Sequence, residues 1–78
     1  MRVKRECFVV TFATTTGAMA MEQICLARKM PGRLIPVPRS IRAGCGMCWA
    51  APVTEREKIE ALLIEEKMEV DGLYVKSI

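Results

Sequence analysis

Seventy-eight residues, 51% hydrophobic and 27% charged, suit one globular domain over 1–78 and leave too little chain for a second core. The chain has no histidine, which excludes Ser-His-Asp and Cys-His triads, histidine-ligated metals and imidazole acid–base chemistry. The net charge of +3 is unevenly spread: Arg28, Lys29, Arg33, Arg39 and Arg42 stand between positions 23 and 54 without an acid, and the last third is acidic.

Cys7-Phe8-Val9-Val10-Thr11-Phe12 is rich in β-branched and aromatic residues, with apolar side chains toward both faces. It reads as a central, buried strand. Thr14, Thr15 and Thr16 offer capping hydroxyls to a helix that runs through Met19 to about Lys29. Along it Ala20, Ile24 and Ala27 recur at helical spacing beside Met21 and Cys25. Pro31-Gly32 is the expected stop. In Arg33-Leu34-Ile35-Pro36-Val37-Pro38 two prolines remove backbone donors at alternate positions, which places this strand at a sheet edge.

Ser40 to Gly46 reads as a loop, where Gly44 and Gly46 permit positive φ on either side of Cys45. Met47 to Ala51 forms a short strand that ends at Pro52. Thr54-Glu55-Arg56-Glu57 has the form of a capping box, Thr54 at N-cap and Glu57 at N3. Behind it Ile59, Leu62 and Leu63 make one apolar helical stripe. Asp71-Gly72 signals a turn before a last strand, Leu73 to Ile78. With right-handed crossovers this order predicts an α+β, ferredoxin-like βαββαβ fold, a four-stranded antiparallel sheet with two helices on one face.

Basic residues ahead of an apolar stretch, with Ala18-Met19-Ala20 after it, sketch a secretory leader. Glu6 interrupts that outline, threonines dilute it, and cleavage after Ala20 would delete the best strand. No apolar run reaches the roughly 20 residues that cross a bilayer. The expectation is a cytoplasmic protein with reduced thiols and no membrane partner.

The chemistry concentrates at Cys45-Gly46-Met47-Cys48. Two thiols at this spacing on a turn suit a redox pair, a soft-metal clamp, or a nucleophile with a resolving partner. Arg39 and Arg42 lie just upstream, and positive charge favours thiolate over thiol. Cys7 and Cys25, on a strand and on a helix's apolar side, read as small packed hydrophobes. A four-cysteine zinc site would need both to converge on the CxxC loop.

Thioredoxin-like and heavy-metal-associated domains carry their cysteine pair just after the first strand, where this chain has none. The segment Gly32-Arg33-Leu34-Ile35-Pro36-Val37-Pro38-Arg39, then a short Ser/Gly-containing loop and Cys45-Gly46, resembles the selenium/sulfur (Se/S) carrier protein-like family. The likeness includes Thr11-Phe12, the Thr-rich start of the first helix and Gly72-Leu73-Tyr74, and runs from Cys7 onward. It implies a small bacterial or archaeal protein that carries sulfur or selenium on a cysteine, with the family's Cys-Gly at Cys45-Gly46. Cys48 departs from that pattern, where an apolar residue is usual, and leaves room for a redox pair or a metal.

The expectation is therefore a non-enzymatic carrier without a cofactor, holding a persulfide or perselenide on Cys45 between donor and acceptor proteins. Arg39 and Arg42 would stabilise the anion, Gly44 and Gly46 would leave the sulfur open, and Cys48 would resolve it. The alternative is zinc or copper(I) held by Cys45 and Cys48, or a thiol-redox pair. At this size a homodimer through an edge strand is a further expectation. RNA is not an expected partner, because the chain has few aromatics for a binding sheet.

Overall fold

A computed structural model describes residues 6–38, 41 and 46–77. Its elements are β1 (Glu6–Thr11), α1 (Thr15–Arg28), β2 (Arg33–Pro36), β3 (Met47–Pro52), a 3₁₀ turn (Val53–Glu55), α2 (Arg56–Glu65) and β4 (Gly72–Ser77). The strands form one antiparallel sheet in the order β2-β3-β1-β4. This is the expected α+β, ferredoxin-like architecture, with β1 and β3 central and the proline-bearing β2 at an edge.

Alternation along β1 builds two cores. Phe8, Val10 and Phe12 pack with Met21 and Cys25 of α1 and with Ile59 and Leu62 of α2. On the other face Val9 packs with Cys48 and Ile41. Phe8 lies opposite Ala51 and Val75, and Val9 opposite Ala50 and Tyr74, so each β1 side chain has a neighbour on both flanks. Fully burying such apolar side chains contributes about 1.5–3 kcal/mol apiece, which makes β1 the spine of the fold.

The first helix begins as its threonines suggest. Thr14 is the N-cap, and its Oγ1 accepts a hydrogen bond from the Gly17 amide at 3.2 Å. It ends where expected, at Lys29, but by a different device than Pro31-Gly32. Lys29 adopts a left-handed conformation at φ 55°. The Lys29 amide then donates to the Leu26 carbonyl and the Met30 amide to the Cys25 carbonyl, at 3.3 and 2.8 Å. That Schellman closure stops the helix before Pro31-Gly32 is reached. The second helix closes in the same way at Lys67, φ 52°, where the Met68 amide donates to the Leu63 carbonyl at 3.0 Å.

Two local expectations are corrected. The buried stripe of α1 is Ala18, Met21 and Cys25, whereas Ala20 and Ala27 face solvent. The capping box at Thr54 does not form: Val53–Glu55 is a 3₁₀ turn, and α2 starts at Arg56 without a side-chain cap. The turn places Arg56 over the Phe8 ring, 5.4 Å from its centre. Ile59, Leu62 and Leu63 are the buried stripe of α2, as their spacing predicts. Arg28 ties the helix ends together, reaching Glu65 at 2.7 Å and Glu66 at 2.6 Å.

Candidate functional site

The connection from β2 to β3 carries the chemistry read from the sequence. Its stem is closed where Pro36 lies opposite Met47, and just beyond that pair the Val37 amide donates to the Gly46 carbonyl at 3.0 Å. The Ile41 amide donates to the Pro38 carbonyl, also at 3.0 Å. Gly46 has φ 77°, a conformation that L side chains rarely adopt. It is exposed, and a Cβ placed there would meet no atom within 4 Å. Arg39, Arg42, Gly44 and Cys45 lie outside the described residues.

Cys48 is described, and it is fully buried. It sits on β3 opposite both Thr11 of β1 and Ile35 of β2. Its side chain joins Val9 and Ile41, with Ile35, Val37 and Tyr74 packed around them. No described helix covers this face of the sheet. Its cover comes partly from the β2–β3 connection itself, through Val37 and Ile41. Sequence reasoning passed over Ile41; the available signal was one large aliphatic residue amid arginines and serine.

Thr11, the neighbour of Cys48 across the ladder, is buried, and its hydroxyl donates to the Gly72 carbonyl at 3.3 Å. That bond satisfies a polar group that would otherwise be costly to bury. Trp49, the residue after Cys48, points to the helix face, where its Nε1 donates to the Pro31 carbonyl at 3.2 Å. Packing and this bond account for Trp49.

The other described cysteines are dispersed. Cys25 lies in the helix-side core and Cys7 borders the opposite cluster with Cys48, so the sheet stands between Cys25 and that pair. Burial pushes the Cys25 thiol up to about 11 from 9.0, because the low-dielectric core disfavours its anion. Among the described residues no three metal-ligating side chains come together. No described helix is long and apolar enough to cross a membrane.

The chain is thus a small α+β domain in which the β2–β3 connection joins an edge strand to a central one. The family model described as "Putative Se/S carrier protein-like" matches residues 6–75, and the chain belongs to that family. No curated protein and no solved structure matches it.

Proposed function

We propose that this protein carries sulfur or selenium on Cys45 between a donor protein and an acceptor protein. The observation that carries the reading is the family match, which spans Cys45-Gly46 together with the strands that bracket them. The exposed, left-handed Gly46 supports it, because the residue beside Cys45 adds no side chain to crowd an incoming partner.

In this reading the Cys45 thiolate attacks the outer sulfur of a donor persulfide. A new Sγ–S bond forms, the donor's S–S bond breaks, and the donor cysteine leaves as thiolate. Arg39 and Arg42 stabilise the resulting persulfide anion. A nucleophile on the acceptor takes the outer atom, and Cys45 departs as thiolate. A perselenide exchanges in the same sense.

Cys48 supplies a branch. Its thiolate attacks Cys45 Sγ, leaving a Cys45–Cys48 disulfide and releasing the outer sulfur as hydrosulfide. Burial of Cys48 with Val9 and Ile41 disfavours that branch, so delivery to a partner outruns release.

Intact-mass measurement after incubation with a cysteine desulfurase and cysteine tests the reading. Wild type and Cys48→Ala should each gain sulfur, and Cys45→Ser should not. No gain on wild type, or undiminished gain on Cys45→Ser, overturns it.

A further inference from the structure

The two edges of the sheet are unlike. At one, β2 offers four residues, and Pro36 lacks a backbone donor. At the other, β4 offers six residues from Gly72 to Ser77 with no proline, paired among the described residues only to β1. Leu73 and Val75 lie opposite Val10 and Phe8, which places them on the helix face. Both are nevertheless exposed, at 42% and 41%. Beside them a groove of about 330 Å³ runs between α2 and β4, lined by Ile64 and Leu73 and carrying Glu60 and Lys67. Ile64 is 77% exposed. Single exposed aliphatics are ordinary, but two on the outer strand and a third beside them on α2 form a patch.

We propose that β4 pairs antiparallel with β4 of a second copy, joining two four-stranded sheets into one through an isologous interface. The sequence itself selects the register. Keeping both pairs of helices on one face requires odd-numbered residues to meet odd-numbered ones. A twofold axis at Tyr74 then sets Leu73 opposite Val75 of the second copy, and Lys76 opposite Gly72. Apolar meets apolar, and no like charges face each other. Shifting the axis to Val75 would oppose Leu73 to Ser77; shifting it to Leu73 would oppose Val75 to Asp71.

Charge beside the groove agrees with this arrangement. Glu60 stands on α2 and Lys67 just past its end, at the left-handed residue that closes it, and both line the groove. Across the twofold axis the α2 helices run in opposite directions, so Lys67 of each copy approaches Glu60 of the other. The occupant is therefore another copy of this chain. The β2 strands, which lead into the two β2–β3 connections, lie at the far ends of the joined sheet.

Analytical ultracentrifugation of the full chain, with circular dichroism on each variant, tests the interface. Wild type should sediment at twice the monomer mass at high micromolar concentration. Val75→Lys should sediment as a folded monomer. Ile64→Lys changes a side chain too exposed to matter for folding, and should weaken the dimer at least tenfold with an unchanged melting temperature. A monomeric wild type overturns the proposal, as does a dimer that Ile64→Lys leaves intact. Sulfur loading of Cys45 is read separately by mass, so either proposal can fail alone.

Discussion

Ile41 and Cys48 share one buried cluster with Val9, on the sheet face that no described helix covers. One residue belongs to the β2–β3 connection and the other to a central strand. The connection thereby docks on the sheet through an aliphatic side chain, which helps to shield the thiol that the sequence casts as the resolving partner of Cys45. Truncating Ile41 separates the two effects. Ile41→Ala should cost about 2 kcal/mol, at the low end for a buried isoleucine because the cluster is small. It should also speed iodoacetamide modification of Cys48, followed by peptide mass mapping in native buffer. An unchanged rate at Cys48 would mean that Ile41 is not its cover.

At Gly32 the backbone leaves no room for a side chain. Its φ is 112°, and a Cβ there would fall 2.5 Å from Trp49 Nε1 and 2.6 Å from the Ala50 carbonyl oxygen. Backbone cannot step aside as a flexible side chain can, and the Trp49 indole is held by its bond to Pro31. Gly32→Ala should therefore destabilise by about 2–4 kcal/mol, adding left-handed strain to overpacking. Urea unfolding reads this as a lower midpoint at constant slope. A loss under 1 kcal/mol would show that β2 and β3 separate easily.

Both helices end on lysines in the left-handed region, Lys29 and Lys67, where glycine is the usual choice. A side chain in that conformation costs about 1–2 kcal/mol, part of which glycine returns as entropy of the unfolded chain. Lys29→Gly should raise stability by about 0.5–1 kcal/mol, and a thermal melt should show a gain of a few degrees. A lower melting temperature would mean that the Lys29 side chain contributes more than its backbone strain removes.

These positions also show what was legible in the sequence. The strand order, the edge placement of β2 and the Ile59, Leu62 and Leu63 stripe followed from residue type and spacing, because each has one strong physical cause. The buried face of α1 did not. Apolar residues ring that helix, from Ala18 through Met19, Ala20 and Met21 to Ile24, Leu26 and Ala27, so spacing alone cannot choose among faces. Tertiary packing chose Ala18, Met21 and Cys25. The Thr54 capping box lost to Pro52 and a 3₁₀ turn, which start the backbone on a different path. At the site, the CxxC spacing and the glycines marked the turn, and Gly46 has the positive φ expected of it. The burial of Cys48 could not be read, because it depends partly on Ile41 folding back across strands distant in sequence.

Cys25 gives the fold a dependence on alkaline pH. Its thiol is raised from 9.0 to about 11 because the core around Met21 and Trp49 disfavours the thiolate. A group whose folded pKa lies above its unfolded value contributes stability that is fully present below the unfolded pKa. That contribution is lost as pH climbs toward the folded pKa, where the unfolded chain releases a proton that the folded chain retains. Stability should thus fall from about pH 9 to about pH 11, by something on the order of 2 kcal/mol at the upper end. Cys25→Ala removes the titrating group. Its urea midpoint should be lower than wild type at pH 8, from the lost sulfur contact, yet decline less steeply toward pH 11. Parallel pH profiles for the two proteins would place the alkaline sensitivity elsewhere, and the thiol at position 25 would then be open to solvent often enough to ionise.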